Sequence, residues 1–133
     1  MREDESHVKQ PQLNAKRILR ESTALQITDA LSLCTESGTA KIFHNHPSHL
    51  VGKTGTSRQI LAPHLRKGGV DPYMDVDGKR QYASSFAGFF PAENPEYSVI
   101  CVLFTKPTDK PIYGGKLPAE MVRKFIEGTE DLR

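Results

Sequence analysis

The apolar residues in the first third of the chain recur at helical spacing. They are three or four residues apart, so one face of a helix would carry them all. The stripe consists of Ala24, Ile27, Leu31 and Cys34. This pattern predicts a helix over residues 20–37, with Ser22 or Thr23 placed to cap its start and Gly38 placed to end it.

Three later segments have the composition of β-strands. Residues 50–59 are rich in small and β-branched side chains, and residues 82–91 are small and aromatic up to a closing proline. Residues 97–104 are apolar on both faces, which is typical of a central strand that is covered on two sides. The short Asn-Pro turn at residues 93–96 joins the last two strands, and this predicts an antiparallel hairpin.

A second amphipathic helix is predicted at the end of the chain. It follows Gly114 and Gly115, holds Pro118 in its first turn, and is expected to end at Gly128. Its expected apolar face consists of Leu117, Met121, Val122 and Phe125. The order of elements predicts an α+β fold, in which helices pack on an antiparallel sheet of about three strands.

Composition narrows the functional classes. With 133 residues the chain has room for one domain, and a formal net charge of +2 gives no reason to expect a nucleic-acid partner. The longest apolar run, at residues 99–104, is too short to cross a bilayer, and the charged start has no leader-like pattern. The two cysteines lack metal-ligand spacing and are expected to be buried thiols without a disulfide.

Two candidate sites can be set aside. In "LVGKTGTSRQ" a phosphate-binding loop would need a glycine five residues before Gly52, where the chain has Pro47. His44, His46 and His49 are close enough to share a metal ion, but no cysteine accompanies them and the nearest preceding carboxylate is Glu36. We therefore expect a plain surface loop at residues 41–49, with no metal and no cofactor.

The same stretch suits the binding of a carboxylate. On a strand, Lys53 and Gly55 point to one side while Thr54 and Thr56 point to the other. A fixed positive charge beside two hydroxyl donors can hold a carboxylate, and a glycine in a strand allows close approach by a ligand or another backbone. From the residues alone, an ordinary edge strand remains the alternative.

The flanking segments resemble one family. "ESTALQITDALSLCTESGTA", "VGKTGTSRQ", "YASSFAGFFPAENPEYSVICVLF" and "YGG" occur in this order. Together they resemble the C-terminal part of the transpeptidase domain of class B penicillin-binding proteins, from residue 18 to residue 126. On this basis residues 1–17 are expected to form a polar arm, and residues 18–133 the C-terminal portion of such a domain.

The resemblance implies acyl transfer by an active-site serine, with three motifs: Ser-x-x-Lys, Ser-x-Asn and Lys-Thr-Gly. The third corresponds to Lys53, Thr54 and Gly55. By family role, Lys53 supplies positive potential, and the Thr54 and Thr56 hydroxyls bind the carboxylate of a terminal D-alanine or of a β-lactam. The Thr56 N–H would be one oxyanion-hole donor, a contribution of roughly 3 kcal/mol in the transition state.

The first two motifs have no convincing counterpart in this chain. Ser-x-x-Lys occurs at Ser6 and Lys9, within the charged arm, and Ser-x-Asn does not occur. We therefore expect a fragment of a cell-wall D,D-transpeptidase that is inactive alone and is not acylated by penicillin. The alternatives are a non-catalytic sensor or binding module, or a related serine β-lactamase or D,D-carboxypeptidase.

The resemblance also implies partners and a location. The parent protein would use peptidoglycan stem peptides, react with β-lactams, and be anchored at the periplasmic face of the bacterial inner membrane. Without the neighbouring strand of the family's sheet, residues 97–104 would form a bare apolar edge, which predicts self-association.

Overall fold

The computed structural model describes residues 16–66, 68 and 71–130. It contains helix α1 (Glu21–Glu36), strands β1 (Val51–Arg58), β2 (Tyr82–Phe90) and β3 (Tyr97–Phe104), and helix α2 (Leu117–Glu130). The α+β architecture with a three-stranded antiparallel sheet is confirmed. Most of the predicted arm, residues 1–15, lies outside the described residues. Among those described, no helix is both long and apolar enough to cross a membrane.

The sheet has the strand order β1-β2-β3, and both neighbouring pairs are antiparallel. In the register of β2, Phe86 lies opposite Thr54 of β1 and opposite Cys101 of β3. The predicted hairpin between the second and third strands is therefore present, and the predicted motif strand lies at one side of the sheet.

The ends of α1 differ in part from the prediction. Arg20 is the N-cap residue and makes no side-chain capping bond, so the predicted capping by Ser22 or Thr23 is wrong. Both of these residues lie one or two positions inside the helix. At the other end the Gly38 N–H donates to the Leu33 carbonyl at 2.9 Å, which closes the helix as predicted.

Most of the predicted apolar stripe of α1 is exposed. Only Cys34 and Thr35 are buried, whereas Ile27 is 44% exposed. The helix contacts the sheet through β1, and burial is confined to its last turn. In the part of the chain that the structure describes, the rest of the stripe is not buried against any other element.

The core is built around Phe86, whose side chain is fully buried at the centre of the sheet. The Phe43 ring stacks on it with a centroid distance of 5.2 Å. The other buried members of this cluster are Cys34, Ala40, Leu50, Ala119, Val122 and Ile126. One side chain of β2 therefore contributes to the same core as parts of both helices.

Helix α2 buries only part of the predicted apolar face: Val122 is buried as predicted, but Leu117, Met121 and Phe125 are exposed. Ala119, Val122 and Ile126 are buried, whereas Met121 is 47% and Phe125 is 65% exposed. Apolar residues occupy a wide arc of this helix, and the sheet covers only half of it. The helix also continues past Gly128, so the predicted end at that glycine is wrong.

Strand β3 is an edge of the sheet among the described residues, not the central strand that its composition suggests. Its residues alternate between half-buried and exposed positions. Ile100 is 71% and Phe104 is 70% exposed, and both lie on the face that does not carry α2. Cys101, on the other face, is a free thiol, as is Cys34.

Candidate functional site

Strand β1 carries the predicted carboxylate-binding motif at one side of the sheet. Lys53, Thr54, Gly55 and Thr56 follow one another in the strand. Thr54 lies opposite the buried Phe86, so its side chain is on the covered face of the sheet. Thr56 shares that face by alternation, and the exposed Lys53 lies on the other.

The backbone groups of two motif residues point away from the sheet. The Gln59 N–H donates to the Gln81 carbonyl at 2.9 Å, which identifies a hydrogen-bonded pair in the β1–β2 register. Because such pairs alternate with non-hydrogen-bonded ones, Thr54 and Thr56 direct their backbone N–H and C=O groups to the outer edge. The Lys53 ammonium donates to the Thr54 carbonyl at 3.1 Å and so lies beside this edge.

A series of side-chain contacts holds the threonine hydroxyls. Thr54 Oγ1 is 2.6 Å from Thr39 Oγ1, which is in turn 3.4 Å from the Cys34 sulfur. Thr56 Oγ1 accepts a hydrogen bond from the Gly114 N–H at 3.2 Å. Sequence reasoning missed these three partners as site residues. Their signal is the glycine-threonine turn after α1 and the glycine pair before α2.

The glycine pair before α2 crosses the sheet at the motif. A Cβ atom on Gly114 would overlap the Ser85 carbonyl oxygen and come within 2.6 Å of the Gly55 carbonyl oxygen. A Cβ atom on Gly115 would overlap the carbonyl of Thr39. Only glycine permits this approach. The pair therefore packs directly against the motif strand and against the turn at Thr39, which contacts the Thr54 hydroxyl.

The electrostatic environment favours negative charge near Thr54. Burial alone would raise the pKa of the Cys34 thiol, yet this pKa is held below its ordinary value. The lowering comes from the Thr39 hydroxyl and from backbone hydrogen bonds of Thr54 and Ala40, with a contribution from the charge of Lys53. The positive charge of Lys53 therefore acts on negative charge at this side of the strand.

The histidine loop is not the plain surface loop that the sequence suggested. His46 is buried, its Nδ1 lies 2.8 Å from Ser48 Oγ, and its Nε2 lies 3.6 Å from Glu127. His49 Nδ1 lies 2.9 Å from a Glu93 carboxylate oxygen, and this interaction lowers the pKa of Glu93. Among the described residues, no group of three or more His, Cys, Asp or Glu side chains could hold a metal ion.

The motif strand is exposed at Lys53 and Thr56 and half-buried at Thr54 and Gly55. A groove of about 690 Å³ lies between α1 and the histidine loop, but Thr54 and Thr56 do not line it. A ligand at the motif would therefore lie along the strand in an extended conformation, as a peptide does when it adds to a sheet edge.

Comparison with known proteins gives a consistent set of similarities. The penicillin binding protein transpeptidase domain matches residues 2–127. A peptidoglycan D,D-transpeptidase FtsI homolog of Chlorokybus atmophyticus is 28% identical over 119 residues, which cover 90% of this chain and 16% of that protein. The probable peptidoglycan D,D-transpeptidase PenA of Neisseria flavescens is 29% identical over 115 residues, 86% of this chain and 26% of that protein. PenA of Neisseria gonorrhoeae is 30% identical over 115 residues, 86% of this chain and 18% of that protein.

Proposed function

This chain belongs to the penicillin-binding protein transpeptidase domain family, and from that premise we propose that it forms the carboxylate-binding side of a peptidoglycan D,D-transpeptidase site. The proposed ligand is a stem peptide that ends in D-alanine, or a β-lactam, which carries a comparable carboxylate. The proposed place of action is the periplasmic face of a bacterial membrane, with the membrane anchor in a longer parent protein.

The observation that carries the proposal is the outward direction of the Thr54 and Thr56 backbone groups at the edge of β1. An extended peptide can exchange hydrogen bonds with this edge while the Lys53 ammonium neutralises its terminal carboxylate. In the proposed reaction the Thr56 N–H donates to the oxyanion, and Thr54 and Thr56 contact the carboxylate through their hydroxyls.

Two features support the assignment of roles within the motif. Thr39 and Gly114 each contact one of the threonine hydroxyls, which fixes the positions of both. Preorganised donors are effective because they need no reorientation when charge develops on the ligand. Gly55 lies between them, and a Cβ there would lie only 2.6 Å from Ser85 Oγ on the neighbouring strand, so glycine avoids a clash at this position.

Carboxylate binding is tested by an NMR titration of the whole chain with N-acetyl-D-alanyl-D-alanine. We expect shifts of the Lys53, Thr54 and Thr56 amides, with a dissociation constant on the order of 1 mM for this short ligand. Lys53→Met is expected to weaken binding about tenfold, because it removes the charge that assists the hydrogen bonds.

Two controls make this titration specific. The C-terminal amide of the same dipeptide lacks the carboxylate and is expected to give no shifts in β1. Lys41→Met removes an exposed lysine outside the strand and is expected to bind like the wild type. Equal binding of the acid and the amide would contradict the proposal.

The chain is expected to form no covalent adduct with a fluorescent penicillin. A serine must lie within reach of its base to be acylated, and the sequence contains Ser-x-x-Lys only at Ser6–Lys9, outside the described residues. Gel fluorescence measures the label, with a serine β-lactamase as positive control. A label that is lost in Ser6→Ala would identify that serine as a nucleophile and show that the chain is an acylating enzyme by itself.

A non-catalytic binding module is the second candidate function. It is favoured by the motif content of the sequence. Ser-x-x-Lys occurs only at Ser6–Lys9, which is not a convincing nucleophile, and Ser-x-Asn does not occur. A serine–lysine pair on a helix in the parent protein would favour the transpeptidase, and its absence would favour the binding module.

A further inference from the structure

The two threonine hydroxyls of the motif are held by partners of different kinds. Thr56 Oγ1 accepts a hydrogen bond from the Gly114 N–H at 3.2 Å. An N–H can only donate, so the Thr56 hydroxyl keeps its own proton for another acceptor. Thr54 Oγ1 lies 2.6 Å from Thr39 Oγ1, and either of these two hydroxyls can be the donor. The direction of this second hydrogen bond therefore decides whether Thr54 has a proton to offer to a ligand.

A bound carboxylate fixes that direction. An ionised carboxylate only accepts, and a hydrogen bond to it is stronger than one between two neutral hydroxyls. The Thr54 hydroxyl therefore donates to the carboxylate when the proposed ligand is bound. Two hydroxyl oxygens 2.6 Å apart need a proton between them, and with the Thr54 proton on the ligand this proton must come from Thr39.

The Cys34 thiol continues the series on the other side of Thr39. Its sulfur lies 3.4 Å from Thr39 Oγ1. A backbone hydrogen bond of Thr54 is among the causes that lower the pKa of this thiol, so the Thr54 N–H faces the sulfur. A neutral thiol can accept from that N–H and donate its own proton to the Thr39 oxygen. The order of donation is then Cys34 to Thr39, Thr39 to Thr54, and Thr54 to the carboxylate.

We propose that Thr39 is a positioning residue for carboxylate binding: its hydroxyl donates to Thr54 Oγ1 and so leaves the Thr54 proton to the ligand. Since the ligand is the carboxylate of the proposed function, this role depends on that function and specifies its ligand class. The site offers two oriented hydroxyl donors, on Thr54 and Thr56, beside the Lys53 ammonium. Such a site favours an anionic end group that only accepts hydrogen bonds over a neutral amide or alcohol, which brings a donor of its own.

Replacement of Thr39 by valine keeps the shape of the side chain and removes its hydroxyl. We expect N-acetyl-D-alanyl-D-alanine to bind about fivefold more weakly in the NMR titration, because Thr54 loses the donor that fixes its direction. Thr39→Ser keeps the hydroxyl and is expected to bind within about twofold of the wild type. Thr28→Val is the matched control and is expected to bind like the wild type, because the Thr28 hydroxyl donates to the Ala24 carbonyl within α1 at 3.1 Å.

A double-mutant cycle separates positioning from a general structural effect. If Thr39 acts through the Thr54 hydroxyl, its loss changes little once that hydroxyl is gone. We therefore expect Thr39→Val/Thr54→Val to bind within about twofold of Thr54→Val alone, whereas independent structural effects would add. Additive losses, or wild-type affinity in Thr39→Val, would overturn the proposal.

The pH dependence of binding gives a readout that depends on the thiol. A Cys34 thiolate is a charged acceptor and competes with Thr54 for the Thr39 proton. Binding therefore requires the neutral thiol, and we expect the affinity for the dipeptide acid to fall about fivefold as the pH rises through the pKa of Cys34. Among the described residues, Lys53 of β1 is the group whose charge acts on this thiol, and the other members of its core cluster are apolar.

Cys34→Ser distinguishes the thiol from other titrating groups. The serine hydroxyl can donate to Thr39 in the same way and does not ionise between about pH 6 and about pH 9. We expect this variant to bind with an affinity that is constant over that range and close to the wild-type value at its lower end. A fall of the wild-type size in Cys34→Ser would overturn this order of donation. The comparison needs no change at Thr39, so it is informative even where Thr39→Val does not fold.

The same titrations distinguish a failure of the positioning role from a failure of the proposed function. A wild-type chain that shows no shifts with the dipeptide acid would refute carboxylate binding, and with it the role of Thr39. A wild-type chain that binds the acid, with equal affinity in Thr39→Val and at every pH, would refute the positioning role alone and leave the proposed function standing.

Discussion

Replacing Phe86 by alanine is expected to lower the free energy of unfolding by about 3–5 kcal/mol. Phe86 is fully buried, stacks on Phe43, and lies in the cluster that joins α2 to the sheet. Its removal costs the transfer energy of the ring and leaves a cavity that several elements line at once. Since a small domain is stabilised by only about 5–15 kcal/mol, this loss is a large fraction of its total stability.

Urea denaturation followed by circular dichroism measures this loss. Phe125→Ala is the matched control, because Phe125 has the same side chain but is 65% exposed on α2. We expect the control to lose less than about 1 kcal/mol. Equal losses in the two variants would contradict the placement of the core around Phe86.

Replacing Gly114 by alanine is expected to destabilise the chain by about 1–3 kcal/mol, the usual range for overpacking. The new methyl group would overlap the Ser85 carbonyl, and relief requires the segment to move away from the strand. That movement also withdraws the N–H that holds Thr56 Oγ1. We therefore expect weaker binding of the dipeptide acid in addition to the loss of stability.

Gly128→Ala is the matched control for the glycine substitution. No heavy atom lies within 4 Å of a Cβ at this helical position, and alanine favours helix, so we expect a gain of about 0.5–1 kcal/mol. Thermal unfolding and the dipeptide titration are measured on both variants. A Gly114→Ala protein with wild-type stability and wild-type binding would show that the segment does not support the motif.

Sequence patterns predicted the elements well because each depends on local periodicity. The strand boundaries of β1, β2 and β3 lie within two residues of those expected. The buried faces of the helices were predicted less well. In α2 both Phe125 and Ile126 are apolar, and periodicity cannot decide which of two adjacent apolar stripes meets the sheet. That choice depends on how Phe86 and its neighbours pack, which is a tertiary property.

The motif residues were found from sequence because Lys-Thr-Gly-Thr is contiguous, and alternation along one strand already separates Lys53 from Thr54. The residues that hold the motif were not found, because they are far from it in the chain. Thr39 lies 15 residues before Thr54, and Gly114 lies 58 residues after Thr56. No local pattern marks a glycine as one that must touch a particular strand.

The glycine pair also bears on the order in which this molecule folds. Its contacts with Thr39, Gly55 and Thr56 close loops of high sequence separation, and such contacts carry the largest entropic cost of closure. The β2–β3 hairpin, by contrast, closes across a short turn. We therefore expect the hairpin to form early and the segment before α2 to dock late. The threonine hydroxyls would reach their final positions only at that last step, so competence to bind a carboxylate would appear together with the native state and not before it.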